Sequence, residues 1–221
     1  MQTVPEYRYT RVNGIRPPGP IHTINNKESI TMRSSHRLLV SLFAGAAILA
    51  TTLPVSAAPI TDKMQKKIDT YKKQAVAWAA DPLIVGAVKD ANAKGPIAGM
   101  GNAKWKELKE ADPVVSGFVT NATGKQLTKW MDADAKGINK IVLSGAKSQR
   151  VAFTSMPAIY LGKGKPNFDT SMNDAKAWQQ DESKPDPSTN IDTVQISAPV
   201  MDGGAAIGVL LVSLTADALK K

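Results

Sequence analysis

The stretch VQISAPVMDGGAAIGVLLVSL, residues 194–214, constrains the fold more than any other part of this chain. Two apolar runs of strand length flank an Asp-Gly-Gly turn, which is the pattern of a β-hairpin. The strands are expected at residues 191–200 and 205–214. Gly208, inside the second run, marks a close backbone approach or a bulge.

The beginning of the chain obeys different rules. From Met32 it reads MRSSHRLLVSLFAGAAILATTLPVSAAP. A basic start (Arg33, Arg37), an apolar run over residues 38–53 and small residues at Val55 and Ala57 form the three-part pattern of a secretory signal peptide. We place the cut between Ala57 and Ala58. The other reading is a membrane anchor, but a run so rich in Ala, Gly and Thr makes a weak bilayer span. Residues 1–31 precede a complete signal, carry Arg16-Pro17-Pro18-Gly19-Pro20, and read as an upstream extension with no part in the fold. The expected organisation is an extension over 1–31, a signal over 32–57, and one domain over 58–221. The protein is thus expected to be periplasmic or secreted.

Composition then narrows the function. The whole chain carries a formal charge of +9, but residues 58–221 carry 22 Lys and Arg against 17 Asp and Glu, or +5. Arg150 is the one arginine among them. Nucleic-acid readers rely on Arg forks and stacking aromatics, so this charge reads as a solvated lysine surface and no nucleic acid is expected. The chain has no cysteine, and its two histidines, His22 and His36, precede the expected cut. A Ser-His-Asp triad, a Cys-His dyad, an ordinary zinc site and Cys-attached haem are therefore excluded from residues 58–221. Carboxylate-only and Ser-Lys chemistry survive this filter. The expectation is a binding protein that needs no cofactor, and not an enzyme.

Along residues 58–221, Met64, Ile68, Tyr71, Ala75 and Trp78 recur at helical spacing and mark one face of a long amphipathic helix. Asp81-Pro82 restarts the helix as N-cap and first residue, with Leu83, Ile84, Ala87, Val88 and Ala91 as its apolar side. A short helix capped by Asn102 and carrying Trp105 and Leu108 follows, closed by Asp112-Pro113. The period then reads as two. VVSGFVTNATGKQLTKW is expected to form a hairpin turning at residues 121–124, residues 136–146 a short helix and loop, and RVAFTSM a third strand. Residues 157–190 read as a long irregular excursion with a helical turn near 174–180, and such excursions are usually functional or disordered. The predicted fold class is α+β: an antiparallel sheet of about five strands with a long N-terminal helix and shorter helices packed on it.

QISAPVMDGGAAIGVLLVSL resembles the closing hairpin of the Cache (PDC) family, the extracytoplasmic PAS-like sensor domains. The matching residues are Pro199, Val200, Asp202, Gly203, Gly204, Ile207, Gly208 and Val209. FVTNATGKQLT resembles the family's earlier hairpin, and the N-terminal helix followed by WAADPLI fits its layout. The resemblance covers roughly residues 61–219. It implies a ligand held on one face of the sheet, under the loop and helix after the middle strand, and a free-standing domain without an output module. It implies also a partner that reads the ligand state, either a membrane receptor or a second copy joined through the N-terminal helix. The alternative is an interaction module that acts through that helix and takes no small molecule.

The region so indicated, residues 150–181, supplies a guanidinium (Arg150), aromatic walls (Tyr160, Phe168, Trp178) and carboxylates (Asp169, Asp174, Asp181). A small amphiphilic ligand, such as a carboxylate or an amino acid, needs this mixture. Arg150 is the candidate carboxylate clasp, with Asp169 or Asp181 for an ammonium. Each aspartate has a plainer reading as a turn or cap, Tyr160 and Trp178 as core, and Arg150 as a surface ion pair. Gly162-Lys163-Gly164-Lys165 lacks the following Ser or Thr of a phosphate loop. Asp132, Asp134 and Asp112 lack the spacing of a calcium loop, so no metal is expected.

Overall fold

A computed structural model describes residues 57–221. The upstream extension and all but the last residue of the signal segment lie outside the described residues. In chain order the elements are β1 (Ala58–Pro59), α1 (Asp62–Ala79), α2 (Pro82–Lys94), α3 (Asn102–Trp105), α4 (Pro113–Thr120), α5 (Ala122–Asp132), β2 (Ile138–Gly145) and β3 (Arg150–Phe153). There follow α6 (Pro166–Asn173), β4 (Trp178–Gln179), β5 (Glu182–Pro185), β6 (Asp192–Asp202), β7 (Ala205–Thr215) and α7 (Ala216–Lys220).

The closing hairpin forms as read. β6 and β7 turn through Gly203 and Gly204, with φ of +56° and +85°. A two-residue turn with both φ values positive matches the right-handed twist of the strands, and glycine takes it without a Cβ clash. The other side of β7 pairs with β2, which pairs in turn with β3, while β5 lies outside β6. All pairings are antiparallel, in the order β1-β5-β6-β7-β2-β3, with β4 also on β6. The five strands other than the two-residue β1 and β4 run third, fourth, fifth, first and second across the sheet. That order is PAS-like.

Alternation along the central strands sorts the two faces. Val194, Ile196, Ala198 and Val200 of β6, Leu210, Val212 and Leu214 of β7, and Ile141 and Leu143 of β2 form the main core with α1 and α2. From α1 come Met64, Ile68, Ala75 and Ala79, all buried, with Tyr71 and Trp78 half-buried beside them. Burying each larger aliphatic side chain contributes about 1.5–3 kcal/mol, so this stripe is what fixes α1 to the sheet. Thr61 caps α1 through its hydroxyl to the Met64 N–H, and Asp81 caps α2 through the Leu83 N–H. Of the expected apolar side of α2, Ile84 and Val88 are buried, whereas Leu83 is exposed. The opposite face of the sheet carries a smaller aromatic core of Trp105, Phe153 and Tyr160, with Phe118 against it.

Five expectations fail here. VVSGFVTNATGKQLTKW forms the helices α4 and α5, not a hairpin. Asp112 caps α4 with Pro113 at its first turn, so Asp112-Pro113 opens a helix rather than closing one. Asn121 is the N-cap of α5, its side chain accepting from the Gly124 N–H. Val115, Phe118 and Val119 pack at helical spacing, which outweighs the β preference of their β-branched neighbours. Residues 136–146, expected to be helix and loop, hold the central strand β2, whose both-sided burial hides any alternation. Asn102 does not cap α3, whose N-cap is Gly101. Residues 157–190 are more regular than expected: they contain α6, β4 and β5, and the helix precedes the turn placed at 174–180.

A candidate ligand cavity

The face of the sheet away from α1 has a floor of unusual chemistry. Its strands present Lys140, Val142 and Ser144 from β2, Val209 and Leu211 from β7, and Gln195 from β6. Above them lie Pro157, Ile159 and Gly162 of the loop after β3, and Asn167 and Phe168 of α6. Gln180, Pro185 and Asp186 close the far side. These residues enclose a cavity of about 290 Å³. The roof is fixed from behind. The Trp105 indole donates to the Pro157 carbonyl (2.7 Å), and Asn102 Oδ1 accepts from the N–H groups of Tyr160 (2.9 Å) and Leu161 (2.8 Å).

Arg150 opens β3 opposite Ser144, where a bulge between Leu143 and Ser144 shifts the register. Bulges re-aim side chains, and here the guanidinium reaches the cavity wall. Arg150 is 9 % exposed. Its Nη1 donates to Ser144 Oγ (2.7 Å) and its Nε to the Ile159 carbonyl (3.0 Å). Among the described residues no carboxylate pairs with it. Burial lowers its pKa to about 10, with Tyr160 acting the other way, so it remains a cation at neutral pH. It is a buried charge held by neutral acceptors.

The second charged group is a buried ion pair. Lys140 Nζ lies 2.8 Å from Asp186 Oδ1 and 2.6 Å from Ser188 Oγ. Asp186 Oδ1 also accepts from the Ser188 N–H (3.0 Å) and hydroxyl (2.7 Å). Burial pushes the Asp186 carboxyl upward, but the Lys140 bond and charge and the two Ser188 bonds outweigh it and hold it below the usual range. Asp186 Oδ2 is buried and has no hydrogen-bond partner. Buried acceptors are rarely left so, and the Asp186 side chain is wholly buried.

The residues singled out from sequence separate. Arg150 and Phe168 both line the cavity. Tyr160 sits behind the roof: its ring stacks on Trp105 at 5.3 Å and its hydroxyl accepts from the Ile97 N–H. Asp169 caps the turn before α6 by accepting from the Gly164 N–H. Trp178 is half-buried on β4 opposite Ser197, and Asp181 is exposed; neither lines the cavity. Lys140, Ser144, Asp186 and Gln195 were not singled out. A lysine inside the apolar run INKIVLSG was the available signal for Lys140, and an aspartate between two prolines for Asp186.

A larger groove of about 910 Å³ runs between α2, the loop after it, α4 and β3. Exposed Leu83, Ile97 and Val114 line it, with Tyr160 and Arg150 on its inner wall. It lacks the Lys140–Asp186 pair, and the polar groups of the site converge on the smaller cavity.

No family model and no curated protein matches the chain. Among solved structures it is similar to the sensor domain of the V. cholerae histidine kinase DctB, at 13 % identity and a TM-score of 0.49, over 72 % of this chain and 52 % of that one. It is similar also to the sensory domain of the Campylobacter jejuni chemoreceptor Tlp3 with isoleucine bound, at 12 % identity and a TM-score of 0.39, over 71 % and 64 %. A third is the ligand-binding domain of the Pseudomonas aeruginosa amino-acid chemoreceptor PctC in complex with GABA, at 14 % and 0.33, over 69 % and 63 %. The chain thus spans between half and two thirds of the length of these domains. All three are sensory or ligand-binding domains. The PAS-like assignment itself rests on the strand order.

Proposed function

We propose that residues 58–221 form a Cache-type, extracytoplasmic sensor domain whose cavity takes a small organic carboxylate at Arg150. One observation carries this reading: a buried guanidinium, bonded to a hydroxyl and a carbonyl, faces a cavity whose one carboxylate, Asp186, is held by Lys140. An uncompensated buried charge is costly, and a ligand carboxylate in two-point contact offsets that cost. The apolar walls at Val142, Ile159, Phe168, Val209 and Leu211 bury the rest of a short ligand. Export rests on the signal pattern over residues 32–57. The ligand state is then passed to a partner, a membrane receptor or a second copy. The alternative, a module acting through its first helix without a ligand, has less to work with. The outward side of α1 carries Lys63, Lys66, Asp69, Thr70 and Lys73, and Val76 is its one exposed large apolar side chain.

The test is a heat-denaturation screen of the purified protein with carboxylates, amino acids and amines, followed by calorimetry on the hits. A carboxylate is expected to raise the melting temperature, and Arg150→Met to weaken its binding tenfold to a hundredfold, the equivalent of about 1.5–3 kcal/mol for a charged hydrogen bond. Because Arg150 is buried rather than on the surface, the empty variant shifts in stability too: it loses two hydrogen bonds and an unpaired charge together. Stabilisation by amines alone, or unaltered affinity in Arg150→Met, sinks the proposal.

A further inference from the structure

The cavity holds three buried ionised groups, and their sum sets a preference among carboxylates; this inference rests on the carboxylate reading above. We infer that Lys140 takes the one buried carboxylate that a ligand ammonium would need, so that the cavity selects hydroxy- and unsubstituted carboxylates over the matching amino acids. The two buried cations, Arg150 and Lys140, face one buried anion, Asp186. The remaining charged lining residues, Lys165 and Lys184, are exposed, and Lys184 pairs with Glu182. The interior therefore has one positive charge in excess.

A monocarboxylate brings that interior to neutrality. A zwitterionic amino acid leaves the excess in place, and its ammonium has to approach Asp186, where Lys140 Nζ already sits at 2.8 Å. Like charges brought together away from water repel strongly. The Asp186 side chain is wholly buried, so it offers a ligand ammonium no open oxygen. A neutral hydroxyl or hydrogen in the ammonium's place adds no charge. Lys140 thus acts as a specificity-determining residue that excludes a ligand cation.

The experiment compares ligands that differ at one group. Calorimetry at pH 7 uses L-lactate, L-alanine and propionate, and a longer set of 2-hydroxy-4-methylpentanoate, leucine and 4-methylpentanoate. In at least one set the hydroxy acid and the unsubstituted acid are both expected to bind at least tenfold more tightly than the amino acid. Lys140→Gln is expected to shrink that ratio at least tenfold by freeing the carboxylate for an ammonium. An amino acid that binds as tightly as its hydroxy counterpart, or a ratio unmoved by Lys140→Gln, overturns the inference while carboxylate binding stands. If no acid of either set binds, the carboxylate reading falls and this inference with it. Should Lys140→Gln fail to fold, the ranking of the six ligands on the unaltered protein decides.

Discussion

Gly208 of β7 lies so close to Ser144 of β2 that a Cβ on the glycine would sit 2.5 Å from the serine carbonyl oxygen and 2.8 Å from Val88 Cγ1. The carbonyl belongs to the neighbouring strand and cannot swing away without opening the ladder between β2 and β7. The same serine presents its hydroxyl to Arg150 on the other face of the sheet. Gly208→Val is therefore expected to destabilise the fold by about 1–3 kcal/mol through overpacking. Lys163→Ala, at an exposed loop position, is expected to change it by less than ~0.5 kcal/mol. Chemical denaturation of both variants checks this, and equal midpoints would show that the sheet tolerates a side chain there.

Asn102 ties α3 to the cavity roof through two accepted hydrogen bonds and one donated to the Leu161 carbonyl (3.1 Å). Asn102→Ala leaves those backbone groups without partners, at about 1–3 kcal/mol for a buried orphan. A lower melting temperature together with faster amide exchange at Tyr160 and Leu161 is expected. Exchange that stays slow at both amides would mean that Trp105 alone holds the roof.

Tyr71 bonds to Asp134 across the gap between α1 and the turn before β2. Burial raises its pKa from 10.0 to about 12, with the Asp134 bond and charge adding to the effect. A phenol with a raised folded pKa binds its proton more tightly folded than unfolded. Its stabilising effect is full below pH 10 and is lost as pH climbs through 12. Denaturation midpoints of the unaltered protein should fall more steeply between pH 10 and 12 than those of Tyr71→Phe. Parallel curves would show that the hydrogen bond does not survive in solution.

If the signal over residues 32–57 is used, protein recovered from the cell envelope begins within a residue or two of Ala58. Intact-mass measurement reads this directly. A species that retains residues 38–53 would favour the anchor instead.

How much of this was legible depends on how local the signal is. The closing hairpin, the cap at Asp81 and the stripe on α1 follow from neighbours in sequence, and all are seen. The segment 113–132 was misread because its β-branched and glycine residues argued for strands, while Asp112-Pro113 and Asn121 start helices. β2 was misread because a central strand, covered on both faces, shows no alternation. Of the residues read as the site, Arg150, the one arginine of residues 58–221, and Phe168 line the cavity. Lys140 and Asp186 are 46 residues apart and meet only once the sheet has formed. No spacing rule brings such a pair to notice.

The strand order has a consequence for how the protein is made. β7, the last strand along the chain, lies in the middle of the sheet, between β6 and β2. Until it arrives, β2 has no strand on one side and α1 lacks part of its seat. Closing loops of this span is slow compared with local helix formation. The elements before β7 therefore wait for it, and removing that strand takes away the centre of the sheet rather than its margin.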